Sequence, residues 1–425
     1  MDVNEIADLG SDRRRALFER DAGVEGARET VREVVERVRE EGDVAVREFT
    51  AEFDDVSVGN LNVSDAAERA YEDEVSDAVR DAIDVAIENV REFHERQVPA
   101  DWREEFSPGR ELGRRFRPLE RVGVYAPGGT AAYPSSAIMG VVPATVAGVD
   151  QVVVATPPAE EMNPATLAAV HAAGADEVYS IGGAQAVGAL AYGTETVGRV
   201  QKIVGPGSKW VTAAKAEVRG DVDIDFLAGP SEVLVLADDT ADPELVAAEL
   251  VAQAEHDPNA SVVAVTDDAS LADDVVDEVA AQCEGRDRES TIRDALANDA
   301  SGVLLARSMS EAVLFANEYA AEHLSILAED DEAVLDRIDN AGSVFLGANT
   351  PVAAGDYASG TNHVLPTNGG AKRYGGLSVD EFVRSTTVQR LDGAGLGDLA
   401  DAITTLADAE GLEAHAESVR KRTED

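Results

Sequence analysis

Three of the six histidines stand beside side chains that could share a proton or a metal ion with them. His256 closes the stretch Gln253-Ala-Glu-His, and Gln253 and His256, three apart, share one face of a helix end. His323 follows Glu322 at the mouth of an expected strand. His363 shares the glycine-containing loop Gly355-Asp-Tyr-Ala-Ser-Gly-Thr-Asn-His-Val-Leu-Pro366 with Asp356, a kind of segment that often carries function. His415 lies in the tail. Imidazole nitrogen and carboxylate oxygen are ordinary ligands of Zn²⁺, and an amide oxygen is a less usual one. The candidates are far apart in sequence, so a metal site and a set of satisfied polar groups at strand ends both fit the spacing. His94 and His171 sit in expected helices among mixed neighbours and read as structural or surface residues.

Glycine marks a second kind of site. Gly128-Gly129, Gly182-Gly183 and Gly205-Pro-Gly207 fall at the ends of expected strands. In open α/β sheets ligands bind beyond the carboxyl ends of the strands. There a glycine admits a phosphate close to the backbone, and the next helix N-terminus favours an anion. No Gly-x-Gly-x-x-Gly stands at a first strand-to-helix turn, so a nucleotide site and plain strand-to-helix turns both remain open.

These residues need elements to hold them. The first hundred residues read as helices, with apolar faces at Val31, Val34, Val35 and Val38 and at Ala78, Ala82, Val85, Ala86, Val90 and Phe93. From Leu112 the pattern changes to a short alternating stretch that ends in Val122-Gly-Val-Tyr-Ala-Pro-Gly-Gly129. Apolar strands then alternate with helices: strands at 152–155, 178–181 and 200–204, helices near 166–173, after Gln185, and at 210–218. A second series has strands at 233–237, 262–265, 303–306, 324–327 and 344–346. Such alternation implies parallel sheet. The expected fold is α/β, with two Rossmann-like parallel-sheet domains, a cleft between them, and small helical segments at both ends. The expected divisions are 1–110 (helical, partly packed on the second α/β unit), 111–230, 231–375 and 376–425. The last is read as helical from Gly376, with helices at 396–406 and 413–422.

Composition narrows the function classes. A chain of 425 residues exceeds one ordinary core. Its 83 acidic and 36 basic residues give a formal charge of −47, and only 5 of the basic residues are Lys. Nothing there would neutralise phosphates along a nucleic acid, so no such partner is expected. Self-repulsion of this size loosens a compact state unless salt screens it. At molar salt the Debye length is about 3 Å, and because acid is spread along the whole chain, adaptation to high salt is expected. The single cysteine, Cys283, excludes an internal disulfide framework. The opening MDVNEIADLG has no basic and apolar signal pattern. The weakly polar run 137–149 contains Pro143 and falls short of the ~20 residues of a membrane span. No membrane association and a cytoplasmic location are expected.

Several longer blocks carry a resemblance. Ala228-Gly-Pro-Ser-Glu-Val-Leu-Val235 followed by Gln253-Ala-Glu-His256 is similar to the signature of the histidinol dehydrogenase family. So are Gly182-Gly-Ala-Gln-Ala186, Glu322-His-Leu324, Gly342-Ser-Val-Phe-Leu-Gly347 and the 355–366 loop, all in family order over nearly the whole chain. The resemblance implies oxidation of L-histidinol to L-histidine through bound L-histidinal, with two NAD consumed in turn. It implies one Zn²⁺ held by Gln253, His256, Asp356 and His415, and an acid–base pair, Glu322 and His323. Substrate contacts are implied at Ser231 and Glu410 and at the metal-site residues and His323, and NAD contacts at Tyr125 and Gln185. In the family the tail of one subunit completes its partner's site, so a homodimer is implied, with Glu410 and His415 crossing over. On that reading a neutral imidazole, ordinary pKa about 6.5, suits His323 as base, and Glu322 would activate the water that hydrates the aldehyde. The metal would position the substrate, and the hydride chemistry would belong to NAD.

Two positions depart from the pattern. Ser208 stands where the family usually has an Asn that contacts the dinucleotide, which leaves that contact in doubt. Glu249 stands in place of Asp on a helix. Three rivals are weighed: a family relative acting on another amino alcohol, a zinc hydrolase using the same ligands to activate water, and an inactive binding protein. Retention of Glu410 and His415 opposes the first. The glycine-rich strand ends would be unexplained in the second, and Glu322 with His323 opposes the third. The charge reading has its own test: lowering KCl from molar to ~0.1 M should lower the thermal midpoint as screening weakens, and an unchanged or higher midpoint would refute salt adaptation.

Overall fold

The computed structural model describes residues 1–20, 23–128 and 133–423. Gly129, part of the first glycine cluster, lies outside the described residues. The strands in chain order are β1 (Val3–Glu5), β2 (Trp102–Ser107), β3 (Arg110–Pro118), β4 (Arg121–Tyr125), β5 (Gln151–Thr156), β6 (Glu177–Ser180) and β7 (Lys202–Val204). They continue with β8 (Asp223–Ile224), β9 (Glu232–Ala237), β10 (Ser261–Thr266), β11 (Gly302–Leu305), β12 (His323–Leu327), β13 (Ser343–Leu346) and β14 (Val383–Leu391).

Val-rich runs such as 152–154 and 262–265 become central parallel strands because a sheet covered on both faces favours unbroken apolar sequence. They form two sheets of the same plan. The first has the order β6-β5-β4-β7-β8, the second β11-β10-β9-β12-β13 with β1 added outside β11. All pairings in both sheets are parallel. In each unit the first strand is central and the chain winds outward to one side and then the other, so the expected duplicated α/β architecture is present. Two crossover helices, Pro164–Ala173 of the first unit and Pro243–Ala254 of the second, begin alike. Asn163 and Asp242 each cap a backbone N–H, and each is followed by Pro at the first helical position.

The first sheet is covered by its own crossover helices, among them Pro134–Ala147 and Gly183–Tyr192, and the N-terminal helices pack outside these as a further layer. Val31, Val34, Val35 and Val38 bury on one side, and Ile83, Ala86, Ile87 and Val90 on the other. The second of these faces is rotated from the expected one: Val85 and Phe93 are exposed, while Ile83, Ile87 and His94 are buried. Six expected positions satisfied a helical period, but the larger Ile side chains won the core side. His94 is a structural residue, its Nδ1 2.7 Å from the Val90 carbonyl. His171 stacks beside Tyr71 at the surface, ring centroids 5.8 Å apart.

The ends of the chain are not wholly helical. β1 adds to the second sheet. The tail opens with β14, which pairs antiparallel along its length with β3, and β3 with β2. The β-branched stretch Val383-Arg-Ser-Thr-Thr-Val388 suits a strand, a signal missed by reading only helical periodicity there. This three-stranded sheet carries the helices Gly393–Ala409 and Glu413–Thr423, which pack mainly on each other. The strand expected to begin at Val200 starts at Lys202.

The helix Pro134–Ala147 crosses the first sheet so closely that a Cβ on Gly140 would lie 2.3 Å from Val124 Cγ1. Helix propensity favours Ala over Gly by roughly 0.5–1 kcal/mol, but overpacking costs about 1–3 kcal/mol. Gly140→Ala should therefore lower stability, read as a lower denaturant midpoint at molar salt; an equal or higher midpoint would show that the crossing can relax.

Candidate functional site

Two sites emerge, at opposite kinds of strand end. The first lies beyond the carboxyl ends of the first sheet, where the strand order reverses between β4 and β7, the place such sheets bind ligands. A cavity of about 1010 Å³ opens there, under the N-terminal helices, and Tyr125, Gln185, Ser208, Trp210 and Asp54 are among its walls. The three residues expected to contact a dinucleotide therefore share one cavity, though Tyr125 ends β4, Gln185 lies in the first turn of the helix Gly183–Tyr192 and Ser208 stands at the N-cap of the helix Lys209–Val218.

Each wall is held by a specific bond. The Tyr125 hydroxyl accepts from Gly183 N–H at 3.1 Å, and burial pushes its pKa above the ordinary range. Gln185 Nε2 donates to Asp54 Oδ2 at 3.2 Å, while Gln185 Oε1 is buried without a partner. An unpaired buried acceptor is costly, and a polar ligand in the cavity would relieve it. The turn to Ser208 starts at Gly205, φ +109°, where a Cβ would lie 2.3 Å from the Tyr125 carbonyl oxygen. A buried pair, Lys215 and Asp225, clamps this glycine. Lys215 Nζ donates to Gly205 O at 3.0 Å and Asp225 Oδ2 accepts from Gly205 N at 2.8 Å.

The second site is at the amino ends of the second sheet. His323 opens β12, beside Val233 of β9 on one side and Ser343 of β13 on the other. Its Nδ1 lies 3.0 Å from the Glu232 carbonyl. A carbonyl only accepts, so Nδ1 carries the proton, and in the neutral ring Nε2 bears the lone pair. Nε2 faces Asp356 Oδ1 at 3.4 Å, outside hydrogen-bond geometry. Glu322 Oε2 accepts from Glu232 N at 2.8 Å and lies 3.5 Å from His323 Nδ1. Burial pulls the His323 pKa down, but the carboxylates of Glu322 and Asp356 outweigh it and the net direction is well upward. Asp356 is likewise pushed up by burial, yet His323, His363 and His256 hold it below the ordinary carboxyl value.

Asp356 sits on the short helix Val352–Tyr357, whose first N–H donates to Glu249 Oε2 at 3.1 Å. Glu249 and Gln253 are one turn apart on the helix Pro243–Ala254. Gln253 is buried and His256 exposed just past the helix end. Ser231 immediately precedes β9, partly buried. These residues of the second unit are thus drawn to one strand-end region. Glu410 and His415 are not: both are exposed on the tail helices. Among the described residues no three His, Cys, Asp or Glu of this chain gather as a metal cage. In type, an amide oxygen, an imidazole and a carboxylate fit a divalent transition metal, and a fourth donor would have to come from elsewhere.

The structure adds residues that the sequence did not single out, and gives His363, which it did, its partners. Asp54 is one, far from any recognised motif. His363 Nδ1 lies 2.8 Å from the Asp356 carbonyl, and its Nε2 is 3.1 Å from Ser136 Oγ on the helix that follows β4. With Asn362, which donates to the Met139 carbonyl at 2.8 Å, it ties the second site to the first unit. No local pattern could have paired residues more than 200 positions apart. Glu232 also belongs here, since its main chain holds both Glu322 and His323. It lies inside a recognised block but was read only as part of it.

Comparison with known proteins identifies the family. The family model described as histidinol dehydrogenase matches residues 18–423. The chain is 72% identical over 424 residues to histidinol dehydrogenase of Haloarcula marismortui and 70% identical over 425 residues to that of Halobacterium salinarum, covering all of both chains in each case. The crystal structure of histidinol dehydrogenase from Elizabethkingia anophelis superposes with a TM-score of 0.92 at 38% identity, covering 99% of this chain and 98% of that one.

Asp54 offers a test of the cavity's electrostatics. Burial raises its pKa from the ordinary 3.8 to about 6. The folded state then binds the proton more tightly than the unfolded one, so the stability this group contributes is present below about 3.8 and lost as pH rises toward 6. Asp54→Asn should raise the thermal midpoint over wild type at pH 7.5, and the gap should shrink toward pH 4.5. A gap that does not depend on pH would show that the carboxyl is not shifted.

Proposed function

The chain belongs to the histidinol dehydrogenase family, and on that premise we propose that it oxidises L-histidinol through L-histidinal to L-histidine, the last step of histidine biosynthesis. The balance is L-histidinol + 2 NAD⁺ + H₂O → L-histidine + 2 NADH + 3 H⁺. The rival zinc hydrolase would leave the dinucleotide-sized cavity without a use. The observation that carries the reading is the juxtaposition of Glu322 and His323, at the start of β12, with Asp356 on the short helix Val352–Tyr357. The likeness to enzymes of salt-loving archaea supports the salt adaptation expected from the charge.

Roles follow from the geometry. His323 Nε2, left without a proton in the neutral ring, takes the substrate hydroxyl proton. Glu322 is held by one oxygen, Oε2, and its other oxygen can draw a proton from the water that hydrates the aldehyde. Tyr125, Gln185 and Ser208 line the nucleotide side, and the buried, unpaired Gln185 Oε1 supports their assignment. NAD, when bound, accepts the hydride at each of the two oxidations.

Gln253, His256 and Asp356 of one subunit would hold zinc, with His415 of the other. Zinc, when bound, would fix the imidazole and amino groups of the substrate and take up part of the Asp356 charge that His323 feels. Ser231 and Glu410 would contact the substrate beside it. The exposed tail, with Glu410 and His415 away from this chain's own site, supports a homodimer whose tails complete each other's sites. On this reading residues 111–230 are the NAD side, 231–375 carry the metal and acid–base groups, and 376–425 dock on the partner, while 1–110 braces the whole. Among the described residues no helix is long and apolar enough to cross a membrane.

The test is NADH formation from L-histidinol at molar KCl. Two NADH per histidinol, lost on chelation and restored by Zn²⁺, are expected. Folded, zinc-loaded protein that forms no NADH would overturn the substrate assignment, and turnover that survives exhaustive chelation would overturn the metal.

A further inference from the structure

The first residue of β9 breaks the rule of its sheet. The strand reads Glu-Val-Leu-Val-Leu-Ala and is buried throughout, so its one charge, Glu232, is held in the core. Its counter-charge, Arg20, reaches in from the N-terminal segment, and the two side chains are 1% and 4% exposed. Arg20 Nε and Nη2 donate to the two carboxylate oxygens at 2.8 and 3.1 Å. The guanidinium also donates to the Leu17 and Tyr319 carbonyls at 2.7 and 3.1 Å and lies 3.8 Å over the Tyr319 ring. Asn368 N–H donates to Glu232 Oε1 at 2.6 Å. Buried pairs of this kind are weak sources of stability compared with apolar residues of similar volume, so stability is a poor account of this one.

What the pair does hold is the main chain of Glu232. That N–H bonds Glu322 Oε2 and that carbonyl receives the Nδ1 proton of His323. Any shift of Glu232 moves both partners at once and loosens the tautomer that leaves Nε2 bare. We infer that Arg20 and Glu232 are a positioning pair that holds Glu322 and His323 in register for proton transfer from the substrate. This rests on the reading that Glu322 and His323 carry the proton steps. A misplacement of ~1 Å can cost about 10²-fold in rate, so loosening the pair should appear in kcat far more than in substrate or NAD binding.

The experiment uses the full chain at molar KCl, with zinc, and begins with His323→Asn. If that variant turns over like wild type, the acid–base reading fails before the pair is tested. Arg20→Met leaves Glu232 unpaired and could fail to fold, so Arg20→Lys and the double variant Arg20→Met/Glu232→Gln are measured with it, each checked by its thermal midpoint. Folded variants should lose ~10-fold or more in kcat with KM for histidinol and NAD within about 2-fold, and Arg20→Lys should retain more kcat than the double variant. Placed on His323→Asn, the same changes should cost little further kcat, because the group they position is gone. Normal kcat in the folded double variant, or a loss just as large in the His323→Asn background, would overturn the pair's role in positioning and leave it as a support of the fold alone.

Discussion

Parallel strands need both faces covered and every connection carried across the sheet by a long crossover. That constraint organises this molecule. The helices that meet it also deliver the functional groups. The helix Pro243–Ala254 covers the second sheet through Val246, Ala247 and Leu250 and ends at Gln253, back at the amino ends of the strands. The helix Val24–Glu41 buries Val31 and Val34 in the core it forms with the crossover helices Gly183–Tyr192 and Lys209–Val218, and the same two side chains form part of the cavity wall. The helix Pro134–Ala147 packs on β4 and presents Ser136 to His363. Cover and site are the same residues seen from two sides.

The same constraint sorts the charges. A chain of net charge −47 must keep nearly all its acid at the surface, because an unpaired buried carboxylate is very costly. Of those that remain inside, Asp43 holds Thr194 and Thr196 beside the start of its own helix, and others stand at strand ends. Asp225 with Lys215 holds Gly205 at the first site, and Glu232 with Arg20 holds the main chain beneath the second. Glu322, His323 and Asp356 form a third group, where two carboxylates share one imidazole and raise its basicity.

The small antiparallel sheet follows other rules. β2 and β14 are mostly exposed and β3 mostly half-buried, and the two helices they carry bury few residues within this chain. Trp102, Phe106, Leu391, Leu406 and Leu412 are exposed along it. An appendage that fills little core of its own gains stability from further cover.

Sequence alone was enough for the α/β class, the two repeated units and most strand positions, because long apolar runs and their spacing are local properties of the chain. It was enough, too, for the family, since several long blocks in order leave little room for coincidence, and for the acidic surface, since charge is additive. It misjudged the core face of the helix Asp77–Glu95 by about one residue and read β14 as helix, because short segments satisfy more than one period. Only the tertiary structure decided that Tyr125, Gln185 and Ser208 meet in one cavity with Asp54, that Nδ1 of His323 is the protonated nitrogen, and that Arg20 reaches Glu232. Each depends on which strands lie side by side, and residues separated by 212 positions are brought together by sheet order, which no local pattern encodes.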